Sequence, residues 1–161
     1  MGIRLIGATA AAVATTALTG GAASRSSVDS VWYQRLRKPA YQPPRQVFPI
    51  VWPLLYADIA VVSADTVDHL IEDGDADAAR RFSTALAINL GLNASWSWVF
   101  FGRRRLGLAA LTAGALAASS ADLARRAVAV RGGRAAPLAA YPVWCAFAAV
   151  LSTHIWWLNR R

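Results

Sequence analysis

FSTALAINLGLNASWSWVFF at residues 82–101, stopped by GRRR at 102–105, is the stretch on which the reading of this chain turns. It carries no charge over 20 residues, about what an α-helix needs to cross the hydrocarbon core of a bilayer. Asn89, Asn93 and Trp96 recur in it at i, i+4 and i+7, so they share one helical face. An amide in lipid is costly without a partner, so that face points into a bundle. Two readings are open. The amides join helices by hydrogen bonds worth about 0.6–2 kcal/mol each, or they wall a pocket with two polar anchors and an aromatic plate.

Four more apolar runs flank this one, at about residues 5–24, 47–67, 106–124 and 138–158. The spacing predicts an all-α membrane protein, a single domain over 1–161 built as a bundle of five transmembrane helices. Residues 25–46 form a basic, proline-rich loop or lid that carries Trp32, Tyr33 and Tyr41, and 69–81 form an acidic loop. The first run has a rival reading: Arg4, an apolar centre and Ala22–Ala23 also suit a cleavable signal peptide, although the uncharged stretch exceeds a typical one.

Composition agrees. Hydrophobic residues make up 56% of 161, charged residues 16%, and mean hydropathy is +0.35; a soluble domain averages roughly 25% charged. The net charge of +8 falls between the apolar runs. It suits anionic head groups at the bilayer edge rather than a nucleic acid, which needs a continuous basic surface. Five crossings put ten Lys and Arg on the side of 25–46, 102–105 and the C-terminus, and seven on the other. The positive-inside rule then makes the first loop and the C-terminus cytoplasmic.

One cysteine, Cys145, excludes an intrachain disulfide, and with only His69 and His154 beside it no zinc-ligand spacing exists. Nucleotide loops and hydrolase elbows are absent. What stands out is seven tryptophans. Trp156 and Trp157 beside Arg160 and Arg161 read as membrane-edge anchors. Phe48, Trp52 and Tyr56 are spaced by four and make an aromatic face on the second helix. Facing Asn93 and Trp96, it would enclose a pocket for a flat, conjugated, apolar ligand. Asp58 and Asp65 share a face of the same helix. Asp65 is near enough to the end to reach solvent, while Asp58 reads as a buried acid held by a polar group of another helix. Asp122 should pair with Arg125 and Arg126. Ala110, Gly114 and Ala118 form a small-residue stripe suited to helix association.

WYQRLRKPAYQPP at 32–44, VFPIVWPLLY at 47–56, INLGLNASWSWVFFGRR at 88–104 and YPVWCAFAAVLSTHIWWLN at 141–159 together resemble the signatures of the TspO/MBR family, with Gly20–Gly21 near the first-helix end. The resemblance implies a retained first helix, a five-helix bundle, commonly a homodimer, and an internal pocket closed by the first loop. It implies ligands such as protoporphyrin IX or haem, sterols and synthetic compounds, with no required cofactor and no metal. By motif position the pocket takes Tyr33, Trp52, Tyr56, Asn93, Trp96, Trp144 and Ala148; Asn89 joins them from the spacing argument. The function implied is a receptor or sensor. The alternatives are light-dependent porphyrin degradation, with Trp52 and Trp144 as the residues tied to it, or transport of tetrapyrrole or sterol, for which no inverted repeat is visible. Tyr41 and Gln46 stand where the family's loop usually has tryptophan. Leu151, Ser152 and Thr153 stand where Leu-Asn-Tyr is frequent, which ranks tetrapyrrole above sterol. Asp58 lies outside the family pattern, and His154 reads as a core or interface histidine.

Overall fold

The computed structural model describes residues 9, 11–16 and 29–160. Residues 11–16 are helical (α1). The remainder of the expected first helix, including Gly20 and Gly21, lies outside the described residues. A short helix, α2 (Val31–Arg35), precedes four long ones: α3 (Phe48–Glu72), α4 (Ala76–Ser97), α5 (Leu106–Arg131) and α6 (Ala140–Asn159). Trp98–Gly102 is a π-helical turn after α4, and Gly132–Ala139 is a 3-10 helix leading into α6. No strand occurs among the described residues, so the fold is all-α. By length and apolarity, two stretches reach membrane-crossing proportions: Phe48–Glu72 and the continuous helical run Leu106–Asn159.

The helices outrun the apolar runs that announce them, because water-exposed side chains do not end a helix; backbone geometry does. The acidic loop expected over 69–81 shrinks to the three residues 73–75 between α3 and α4. Gly74 takes φ 78°. The Asp75 N–H donates to the Leu70 carbonyl (2.9 Å) and the Gly74 N–H to the Ile71 carbonyl (3.1 Å), a Schellman termination that needs the left-handed conformation glycine tolerates. Asp75 then turns N-cap: its carboxylate accepts from the Ala78 N–H at 2.8 Å and starts α4. At the far end of α5, Gly132 (φ 56°) ends the helix after Arg131 rather than Ala124.

Small residues set how closely the helices meet. Ala109, Ala113, Leu116, Leu123 and Ala127 of α5 are buried, and so are Ala135 and Leu138 of the 3-10 segment, which at i and i+3 share a face. At Gly107 a Cβ would come within 3.0 Å of Trp156 Nε1, so glycine lets α5 pass under that indole. Cys145 is buried; of the small-residue stripe, Ala110 is buried within the chain and only Gly114 and Ala118 are exposed.

Arg131 of α5 reaches α3 and binds Asp65 with two hydrogen bonds (2.6 and 3.0 Å), a partner the expectation of free solvation lacked. Asp122 accepts from Arg125 (2.7 Å) and Arg126 (2.6 Å), as the spacing predicts. Asp58 differs from expectation. Its Oδ2 is buried without a hydrogen-bond partner among the described residues, so no polar group of another described helix holds it.

Candidate ligand site

The mouth of the bundle is built where α2, the start of α3, the end of α4 and α6 meet. Ser30 caps α2 by accepting from the Tyr33 N–H (3.3 Å). The helix lays Trp32 and Tyr33 on Phe100 (ring centroids 6.0 and 6.4 Å), and Tyr33 also on Phe101 (5.7 Å). Gln42 Nε2 donates to the Tyr33 hydroxyl (3.2 Å), and Lys38 Nζ sits 4.0 Å from the Tyr33 ring centre. Burial pushes the Tyr33 phenol above its ordinary range, with the Gln42 bond pulling partly back; burial pulls Lys38 below its own. Just after α2, the Arg37 N–H donates to Asn159 Oδ1 (3.0 Å) and Asn159 Nδ2 to the Arg37 carbonyl (2.9 Å). A hydrogen bond of 3.0 Å joins the Tyr41 hydroxyl to His154 Nδ1. The first loop is therefore clasped to the end of α6.

Beneath it, Trp52 stacks on Tyr56 one turn later (5.5 Å, 28°). Phe48 meets Trp144 edge-on (5.9 Å), and Trp144 meets Phe147 (5.5 Å). On α4, Trp96 stacks on Phe100 (5.5 Å, 28°), and Phe100 packs against Phe101 (4.8 Å). Both phenylalanines lie in the π turn, where the Arg103 N–H bonds the Trp98 carbonyl, five residues back (2.9 Å), and both are buried. Three polar atoms in this region are buried without a partner among the described residues: Trp96 Nε1, Trp144 Nε1 and Gln42 Oε1.

One level deeper the polar groups bond one another. The Tyr56 hydroxyl donates to Asn93 Oδ1 (2.8 Å), Asn93 Nδ2 donates to the Tyr141 oxygen (3.1 Å), and the Tyr141 hydroxyl donates to Asn89 Oδ1 (2.8 Å). Asn89 Nδ2 ends the chain on Ser119 Oγ (3.3 Å). These bonds join α3, α4, α5 and α6, and Asn89 and Tyr141 are wholly buried.

The structure brings the sequence-predicted residues into two adjoining groups. Trp52, Tyr56 and Trp144 pack on the main core, and Tyr33 and Trp96 pack on the Phe100–Phe101 cluster. Phe48 and Phe147 belong to the second cluster and touch Trp144, so they bridge the groups. Ala148 is half-buried one turn after Trp144. Asn93 joins the aromatic level to the network through Tyr56; Asn89 has both ends of its amide engaged inside the bundle. Sequence reasoning missed Tyr141, although a phenol three residues before Trp144, in an apolar run, calls for a hydroxyl partner. It also missed Gln42, which nothing in a proline-rich loop marks out. Among the described residues no three His, Cys, Asp or Glu side chains gather to hold a metal.

A profile described as the TspO/MBR family matches residues 8–158. The chain is 32% identical over 151 residues to a protein named as the uncharacterized membrane protein YtaB of Bacillus subtilis, covering 92% of this chain and 94% of that one. It is 35% identical over 141 residues to the translocator protein of Ovis aries, covering 80% and 75%. It is 38% identical over 78 residues to a tryptophan-rich sensory protein of Cereibacter sphaeroides, covering 48% and 45%.

Proposed function

The chain belongs to the TspO/MBR family, and from that premise we propose that it is a membrane receptor or sensor that takes a porphyrin-type tetrapyrrole between its helices, beneath the first loop. The unpartnered indole N–H groups of Trp96 and Trp144, in an otherwise apolar aromatic setting, carry this reading. Each buried donor left unpaired costs about 1–3 kcal/mol. A flat guest with acceptor atoms would gain stacking area and supply the missing acceptors. Tyr33, Trp52, Tyr56, Asn93, Trp96, Trp144 and Ala148 form its surroundings, and Asn89 contributes by fixing Tyr141. Haem or protoporphyrin IX fits this chemistry. A sterol ranks lower, because Thr153 stands where a tyrosine would be wanted.

The same reading has α1, α3, α4, α5 and the joined 3-10 segment and α6 crossing the bilayer. The first loop and C-terminus lie on the cytoplasmic side of a bacterial cell membrane, and two copies associate through the exposed part of the small-residue stripe, Gly114 and Ala118. The names of the relatives, translocator and sensory protein, support a role in capturing or passing on a small molecule. Titration of protoporphyrin IX into purified protein tests it. Trp52→Ala and Trp144→Ala should each weaken binding, and unchanged affinity in both rejects the pocket. The Trp52–Tyr56 stack, an oxidisable pair at 5.5 Å, favours a second activity, light-dependent breakdown of the bound porphyrin. Under illumination, loss no faster than in a Trp52→Phe, Trp144→Phe double variant rejects that activity.

A further inference from the structure

At the opposite end of the bundle from the aromatic mouth, α4 and α5 leave an open cleft of about 520 Å³. Its α4 wall is one helical face. Asp77, Arg80 and Arg81 come first, Thr84 next, and Ala85 and Ile88 furthest from the helix start. Its α5 wall repeats the order from the other direction, with Arg126 and Asp122 near the helix end and Ser119 a turn further in. The bond from Asn89 to Ser119 fixes the register of the two walls. The cleft therefore grades from charge, through hydroxyls, to hydrocarbon, and Ile88 is 57% exposed at its apolar end.

The charges are not balanced. Asp77 is engaged by Arg80, and Asp122 is shared by Arg125 and Arg126. Arg81 is exposed and makes no ion pair among the described residues. Arg126 meets Asp122 through Nε, which leaves its terminal nitrogens to donate. A guanidinium has five N–H donors in a fork that matches phosphate oxygens.

We infer that this cleft is a binding site for an anionic phospholipid, distinct from the proposed ligand pocket and independent of what that pocket holds. Arg81 and Arg126 take the phosphate, the hydroxyl level accompanies the glycerol ester region, and an acyl chain lies along Ala85 and Ile88. The order of polarity is that of a phospholipid read from head group to tail. A free phosphate would have no use for the apolar end, and the surplus of guanidinium over carboxylate disfavours a zwitterionic head group.

The test is native mass spectrometry of the full chain in neutral detergent, titrated with phosphatidylglycerol or phosphatidylcholine of the same acyl chains. Phosphatidylglycerol should bind about tenfold more tightly, and an Arg81→Gln, Arg126→Gln variant should lose most of that preference. Ala85→Trp, which keeps every charge and fills the apolar lane, should also weaken phosphatidylglycerol binding. Arg103→Gln, Arg134→Gln removes as much charge elsewhere and should leave it unchanged. Equal affinity for the two lipids overturns the site. So does an equal loss in the Arg103/Arg134 variant, which would mean diffuse attraction, or full retention in both cleft variants. If the cleft variants change the oligomeric state with lipid uptake intact, the face joins copies of the chain and the inference fails.

Discussion

The aromatic mouth and the amide network lie one helical turn apart and handle buried polarity in opposite ways. In the network, Asn89, Asn93 and Tyr141 spend their donors and acceptors on one another and on Tyr56 and Ser119. At the mouth, Trp96, Trp144 and Gln42 each keep a polar atom buried and unpaired among the described residues. Groups already matched within the chain set the arrangement of the helices. The unmatched groups of the mouth are where an outside molecule would improve the balance; Asp58 Oδ2 and Ser63 Oγ on α3 also lack a partner among the described residues. Tyr56 belongs to both, with its ring on Trp52 and its hydroxyl on Asn93.

The sharpest way to break this division is to attack both sides and compare stability with binding. Tyr141→Ala removes a wholly buried ring and two amide contacts. It should cost about 3–5 kcal/mol, read as thermal unfolding in detergent, and Trp52→Ala should cost clearly less; equal losses would erase the distinction. In binding the order reverses. Trp144→Ala should weaken protoporphyrin IX by up to about tenfold, from lost stacking of about 0.5–1.5 kcal/mol, measured by tryptophan quenching. Asn159→Ala opens the clasp on Arg37 and should raise the porphyrin dissociation rate about two- to tenfold, the worth of about 0.5–1.5 kcal/mol of hydrogen bond. Stopped-flow release reads it, and protection of the Arg37 amide from hydrogen exchange should fall in parallel. Smallest is Asp29→Asn, which removes a lid ion pair with Arg45 at 3.1 Å whose side chains are both exposed. It should change stability by less than about 0.5 kcal/mol; a larger shift in the unfolding curve would mean the lid bears on the bundle.

Much of this arrangement is legible in the chain. The i, i+4, i+7 spacing puts Asn89, Asn93 and Trp96 on one face, and two of the three are indeed fully or almost fully buried. Both amides join helices by hydrogen bonds, and Asn93 also adjoins the aromatic level through Tyr56. Helix ends were less legible, because an apolar-run rule counts lipid-compatible residues and ignores polar turns that stay helical. The π turn at Trp98–Gly102 was invisible, as WVFFG reads like any apolar helix. The change of winding shows only in the backbone, where the Arg103 N–H reaches the carbonyl five residues back. GGRAAPLA at 132–139 carries two glycines and a proline, and the 3-10 geometry accommodates them.

The Tyr141 bridge also bears on how the chain is made. Synthesis completes α3, α4 and α5 before α6, so for that interval Asn89 and Asn93 each lack the phenol that later joins them. A chain truncated before residue 141 would keep those buried amide groups short of a partner, and would carry a standing chemical mark of its incompleteness for any quality-control protease.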